Sequence, residues 1–521
     1  MSMTSPLHSD GTPGAPVGVS RLISTAGQPA LGPGSVPQFI FVGACAFGIA
    51  WLSFSLIINS AFGRADNGDY GRFMAPFADK PYGFIANWPP PDQRLQEDRF
   101  FQWWIPYWDP AKIEDARYFG STVLFWLGGK FLSRILLGDD VVSLRMSGAI
   151  ACLVLMGAYG LVLWSARKSA CSGRLLMSVV PMILASALVL SEVCYGSFIN
   201  SYFQEGGSFV FLVCLFSASV FVCGGSIRFE RMPILAAAAC LFATAKVQHG
   251  FVGPLLLVLI VVHAFRIRPR GRYERAGLAV SICVIVGAMP ATFWLNGHRP
   301  SRRNNAYHSL YFGILGHCHD PTAQLRAEGL PEESVALIGL PAYSNEAGVL
   351  IGQLGARLAH RSTFRISMRE PTALISLLRE AAMHAGNIEM DYLGMRAQGA
   401  VDYRSIPSGI HVWSRLRRAV IPRGDGLLLL LGILIVGFGV SCIVPKRLSI
   451  RSWAFLGLLF TLISGLELCA STLGDGLYEI DRHLFASNLA LDLTLCICPT
   501  LVMITVLGRR DEATSNVNAT R

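Results

Sequence analysis

Apolar residues in this chain gather into runs longer than a strand or a surface helix needs. Ten stretches approach or exceed the length that crosses about 30 Å of hydrocarbon. They are 37–62, 141–165, 176–198, 207–226, 232–246, 250–265, 276–295, 425–444, 453–472 and 485–507. Each predicts a membrane-spanning helix. The fifth and sixth are short and meet at Lys246–Gly250, so tilted, kinked or partly re-entrant helices are expected there. A further apolar stretch, 119–137, contains Lys130 and Arg134. Each charge would cost ~2.5–3.5 kcal/mol at a helix centre, so this stretch reads as an amphipathic helix lying in the interface.

Two long polar segments separate the runs, 63–140 and 296–424. The second carries helix-like stretches at 345–360 and 371–386 and predicts a small helical domain resting on the membrane. Residues 1–36 are rich in Gly, Pro and Ser and lack the features of a cleaved signal peptide. They read as a disordered tail, with 37–62 as a retained anchor and 508–521 as a second tail. The expected fold class is an all-α polytopic membrane protein of about ten transmembrane helices.

Composition agrees with the pattern. Hydrophobic residues make up 52% of the 521 positions and charged residues 15%. An ordinary globular chain is roughly a quarter charged. A chain this apolar cannot cover a water-facing surface, which excludes soluble enzymes, disordered proteins and fibres. The net charge of +10 would suggest nucleic acid in a soluble protein. Here it has a simpler source, because basic residues anchor the cytoplasmic ends of spans. With the N-terminus inside, Arg167, Lys168, Arg174, Arg228, Arg231, Arg266, Arg268, Arg270, Lys446, Arg447, Arg509 and Arg510 all fall on the inner side. The short outer loops hold only Lys246 and Arg482. Making 119–137 a span would spoil this bias. Both ends are therefore expected in the cytoplasm, with 63–140 and 296–424 outside. Of the thirteen cysteines, most sit in apolar runs and act as small hydrophobes. No disulfide framework follows.

Polar residues then gather at the outer ends of the spans. Asp66 and Asp69, followed by Arg72, come directly after the first span. One helical turn would place both acids on one face, and a carboxylate pair at a membrane mouth suits general-base work. The alternative is an Asn-Gly or Asp-Gly turn with capping acids. Tyr202 and Glu205 occupy a very short outer loop, where Glu205 can equally be a helix-start acid. Lys246 and Gln248 lie between two short apolar runs. A lysine there needs a partner, such as a lipid phosphate, or it snorkels to the interface. His298, Arg302, Arg303, Tyr307 and His308 follow the seventh run and read either as a phosphate clamp or as a solvated basic patch. Arg482 and His483 precede the last run, where an ion pair capping the helix is the structural reading. His317, Cys318, His319 and Asp320 are too adjacent to share one ion readily and read as a solvated loop. No Walker loop, zinc signature or nucleophile elbow is present.

These stretches resemble the GT-C superfamily of integral-membrane glycosyltransferases. Ala65 to Met74 is similar to the Asn-Gly-Asp-aromatic-x-Arg motif of the bacterial S-layer-glycan hexosyltransferase group. The likeness continues in Thr244 to Gln248, in Ala306 to Leu315, in Asp320-Pro321 and in Asp481 to Leu484. The chain departs from the pattern near Val247, where a proline or small residue is expected. The resemblance implies many spans with outer interfacial helices. It also implies a sugar donor on a polyprenyl phosphate in the bilayer, and an acceptor hydroxyl on an envelope glycan at the periplasmic face of the bacterial inner membrane.

In that reading Asp69 is the general base, with Asp66 as its close second, and single displacement inverts the anomeric carbon. Lys246, Arg302, Arg303, Arg482 and His483 would take the phosphate charge. Arg72, Tyr202, Glu205, Gln248, His298, Tyr307 and His308 would bind substrate. No cofactor is required, although the two acids can hold a divalent cation, and no nucleic acid partner is expected. Two other readings stand beside it. One is a polymerase or ligase of lipid-linked glycans, and the other is a transporter of lipid-linked sugars without chemistry.

Overall fold

A computed structural model describes residues 35–59, 62–65, 78–81, 104, 107–110, 120–138, 141–169, 173–223, 229–267, 271–296, 301–390, 392–395, 411–444 and 448–519. Numbering the helices of eight or more residues, α1 is Ser35–Asn59, α2 Val123–Leu137, α3 Leu144–Ser169 and α4 Gly173–Leu190. They are followed by α5 Gln204–Cys223, α6 Met232–Ala245, α7 Val252–Ile267 and α8 Arg272–Asn296. The polar segment supplies α9 Ser301–Tyr311, α10 Asn345–Leu354, α11 His360–Arg369, α12 Pro371–His384 and α13 Val412–Val420. The chain closes with α14 Asp425–Ile443, α15 Leu448–Asp475 and α16 Phe485–Ala519.

Each of the ten predicted apolar runs contains a helix. Among the described residues six are long and apolar enough to cross a membrane: Pro37–Leu56, Leu144–Ala166, Gln204–Cys223, Asp425–Ile443, Ile450–Asp475 and Phe485–Val506. Shorter apolar helices cover Val179–Leu190 and Val247–Val262. The protein is a multi-pass membrane protein. The main core unites α1, α3–α6, α15 and α16, and α5 is buried along nearly its whole length. That explains its all-round apolar sequence, which has no polar stripe to turn outward.

Three expectations need adjusting. The third run ends as a helix at Leu190. The chain then turns through 191–203 with only a one-turn helix, Val193–Gly196, because Glu192 caps that turn by accepting from the Cys194 N–H. The stretch 345–360 is not one helix: Gly355 adopts φ +52°, and α10 ends before it. The fold is also not wholly helical. A small antiparallel sheet runs in the order β1 (Ala78–Pro81), β2 (Tyr107–Pro110), β3 (Val142–Ser143).

Helix α2 contacts the end of α6 and the starts of α3 and α5. The Ser121 N–H donates to the Thr244 carbonyl, and Trp126 Nε1 donates to the Ser201 carbonyl at 3.2 Å. Ser133 Oγ accepts from the Ser143 N–H at 2.9 Å. These partners sit at the end of α6 and just before α5 and α3. Leu124, Leu127, Phe131 and Ile135 stay exposed on its other side. Gly129 lies against Ser147 and Gly128 against Ile150, so α2 also packs closely on the first turns of α3.

The helical domain of residues 301–384 has its own core of Tyr307, Leu310, Tyr311, Leu325, Leu350, Ile366 and Leu377. It rests on the same end of the bundle as the turn 191–203 and the loop between α15 and α16. The α5 start packs tightly there, since a Cβ at Gly206 would collide with the Phe198 carbonyl oxygen. Gly206→Ala is expected to cost about 1–3 kcal/mol by overpacking, read as a lowered melting temperature in detergent.

Candidate functional site

Four loops meet at that bundle end, and their charged side chains pair with one another. Lys246, where α6 stops, donates from Nζ to Glu205 Oε1 on the first turn of α5 at 2.9 Å. The same Nζ lies 3.3 Å from His483 Nδ1. Arg482 Nη1 stands 3.9 Å from Glu205, and its Nη2 pairs with Glu479 Oε2 at 2.7 Å. The Arg482 guanidinium also lies over the Phe203 ring, 5.3 Å from its centroid.

Asp475, the last residue of α15, holds two histidines. Its Oδ2 is 2.9 Å from His483 Nε2, and its Oδ1 is 2.9 Å from His308 Nδ1. An ammonium only donates, so His483 Nδ1 accepts from Lys246, while its Nε2 lies close to Asp475 without a hydrogen bond to it. The Ala342 N–H donates to His308 Nε2 at 2.8 Å, so His308 Nδ1 donates to Asp475. One carboxylate thus faces both rings. His308 is clamped further by Tyr478, which stacks on it at 4.2 Å.

A deeper layer supports the turn after Lys246. Gln248 Nε2 donates to Glu467 Oε2 at 3.0 Å and to the His483 carbonyl at 3.2 Å. His249 Nδ1 meets Glu467 Oε1 at 2.6 Å, and its Nε2 meets Ser208 Oγ at 2.8 Å. The loop itself is strained. Glu479 has φ +46°, the one non-glycine residue with positive φ among those described, a conformation that costs an L residue about 1–2 kcal/mol. Gly476, at φ +62°, turns the chain just before it.

The root of the acidic loop sits beside this cluster. Arg64 is buried, donating from Nε to Ser197 Oγ at 2.8 Å and from Nη1 to the carbonyls of Met390 and Leu393 at 3.0 and 3.3 Å. The Ala65 N–H donates to the Gly394 carbonyl at 2.9 Å. Trp104 Nε1 donates to the Asn200 carbonyl at 2.8 Å, and Asn200 Nδ2 donates to that of Phe62 at 2.8 Å. Tyr392 joins the two regions, with Glu479, Arg482, Glu205 and Arg64 as its charged neighbours. Burial pushes its hydroxyl well above the usual range, so it stays neutral.

The residues predicted from the sequence divide accordingly. Glu205, Lys246, Gln248, Arg482, His483 and His308 converge. Asp66, Asp69, Arg72 and His298 lie outside the described residues. Arg302 and Arg303 stay exposed on the first turn of α9, and no described contact joins either to the cluster. Tyr307 is a core residue of the helical domain: it stacks on Tyr311 at 4.7 Å and donates to the Leu337 carbonyl. Tyr202 is likewise buried, edge-on to Trp126 at 5.5 Å. Burial raises its hydroxyl pKa. At His317–Asp320, His317 meets Ser376, and Asp320 caps the helix Pro321–Ala327.

Sequence reasoning passed over Arg64, Tyr392, Glu467 and Asp475. Glu467 and Asp475 did leave a signal. Each is an acid within or at the end of a long apolar run, and such residues face a bundle interior and a partner.

Lys246 and Arg482 face the three carboxylates Glu205, Asp475 and Glu479, with His308 and His483 against Asp475. An incoming phosphate would compete with Glu205 for Lys246. At the rim, His384 on α12 pairs with Asp481 at 3.1 Å. The hydrogen bond to Asp481 raises the His384 pKa above its ordinary 6.5. A raised histidine stabilises the fold below its unfolded value, and that contribution is lost as pH rises through the folded value. The melting-temperature gap between wild type and His384→Gln is therefore expected to be widest below pH 6.5 and to close above it.

A bundle of apolar helices carrying a cluster of paired acids and bases at one end, beside a helical domain, defines a polytopic membrane protein. The YfdI N-terminal transmembrane domain family matches residues 35–519, and the chain belongs to that family. Neither a curated relative nor a solved structure matches it.

Proposed function

We propose that the protein is a membrane glycosyltransferase of the GT-C kind. In this reading it moves a sugar from a polyprenyl-phosphate donor to a hydroxyl of an envelope glycan, with inversion, at the periplasmic face of the bacterial inner membrane. The observation that carries it is the convergence of Glu205, Lys246, Asp475, Arg482 and His483 beside Arg64, two residues before Asp66. Attack on the anomeric carbon requires a base for the acceptor hydroxyl and cations for the departing phosphate. Asp69 takes the proton, with Asp66 next to it. Lys246 and Arg482 receive the phosphate charge as it displaces Glu205, and Asp475 holds His483 so that its Nδ1 steers Lys246. The chain's membership of a transmembrane family is consistent with this reading.

The test replaces Asp69, and separately Asp66, with Asn and measures glycan extension in membranes. Loss of the base is expected to lower the rate by about 10²–10⁴. Full activity in both variants would remove the catalytic assignment. Accumulation of unpolymerised repeat units in a deletion strain, instead of glycan lacking single sugars, would favour a polymerase.

A further inference from the structure

Among the described residues, one group of three side chains presents metal-ligand atoms to a common point. Glu192, Cys194 and His411 each offer one donor atom, all within 4.8 Å of one another. Glu192 and Cys194 are buried in the turn after α4, and His411 is the residue that precedes α13. The group is built from parts the fold already holds still. One Glu192 oxygen accepts from the Ser414 N–H at 2.9 Å, and the other accepts from the Cys194 N–H at 3.5 Å.

The second oxygen also faces His411 Nδ1 at 3.6 Å. That separation is long for a hydrogen bond. It matches the edge of a zinc tetrahedron, because bonds of about 2.0–2.3 Å place neighbouring ligand atoms roughly 3.3–3.8 Å apart.

We propose that Glu192, Cys194 and His411 bind one divalent transition cation, Zn²⁺ by preference, which pins the start of α13 to the turn after α4. Thiolate, imidazole and carboxylate together suit zinc and are a poor set for magnesium or calcium. Metal binding releases the Cys194 proton, and the resulting thiolate together with the Glu192 carboxylate balances the two charges of the ion. The Ser414 N–H on the free carboxylate oxygen fixes its direction, as outer hydrogen bonds do at metal sites. Three protein ligands leave one coordination position open. The ion would stand next to the root of the acidic loop, and the proposal does not depend on the transferase reading.

The experiment uses the full chain, purified in detergent, stripped of metal and loaded with Zn²⁺ alone, then with Co²⁺ alone. One Zn²⁺ per chain is expected to survive dialysis, counted by mass spectrometry, and the Co²⁺ form is expected to show a thiolate-to-metal charge-transfer band. Cys194→Ser is expected to abolish that band, and His411→Ala to weaken zinc binding by about tenfold or more, with helical circular dichroism unchanged. Failure of the wild type to retain zinc overturns the proposal. So does a band or stoichiometry that persists in Cys194→Ser, as from binding at other cysteines. Should Cys194→Ser not fold, unchanged zinc affinity in His411→Ala overturns it equally.

Discussion

Asp492→Ala is expected to cost about 3–5 kcal/mol of stability, the range for breaking a buried ion pair by removing one partner. Asp492 lies on α16 and is fully buried. It accepts from Tyr195 Oη at 2.6 Å, Trp413 Nε1 at 2.7 Å and Arg417 Nε at 2.9 Å. Arg417 continues the network to Asn488 Oδ1 at 2.9 Å and to the Ala385 carbonyl. Alanine would leave a buried guanidinium without its counter-charge, and two further donors without an acceptor. The node also ties α13 to the bundle, so the loss should extend to the helical domain. Denaturation midpoints in detergent check the value. The double variant Asp492→Leu with Arg417→Met should recover much of the stability, because it removes both charges together. A loss below about 1 kcal/mol in the single variant would show that the pair does not anchor α13.

Lys246→Met is expected to lower sugar transfer by about 10²–10³ in kcat, the scale for removing one preorganised donor from a developing anion. The lysine sits between Glu205 and His483, at 2.9 and 3.3 Å, so its position is already fixed when an arriving phosphate displaces Glu205. Lys246→Arg should restore part of the rate by keeping the charge. Glu205→Gln should act differently: it removes the competitor for the lysine and so is expected to tighten donor binding and lower KM. Transfer at the wild-type rate in Lys246→Met would place the donor phosphate elsewhere. The melting temperature of each variant separates loss of catalysis from loss of fold.

The membrane-spanning character of the chain, with six helices among the described residues long and apolar enough to cross, was legible in the sequence because hydrocarbon length and the lack of water impose long uninterrupted runs. The gathering of Glu205, Lys246, Arg482 and His483 at one end followed from the same alternation, since every second loop must return to that end. Sequence reading failed where neighbours in space are far apart in the chain. Asp475 meets His308 across 167 positions and Glu467 meets His249 across 218, and no local period records either pairing. Tyr307 and His308 are adjacent, yet one fills a core and the other orients against a carboxylate, because a helix sends consecutive side chains about 100° apart.

The order of apolar and charged residues along the chain thus settles that this protein is polytopic and helical, and which loops share an end. Hydrophobic transfer and backbone satisfaction in lipid depend on sequence alone to a good approximation. Which acid pairs with which base depended on packing: the strained Glu479 turn, the buried Arg64 and the shared Asp475 carboxylate arise only when helices distant in sequence are pressed together, and desolvation then forces each charge to find its partner.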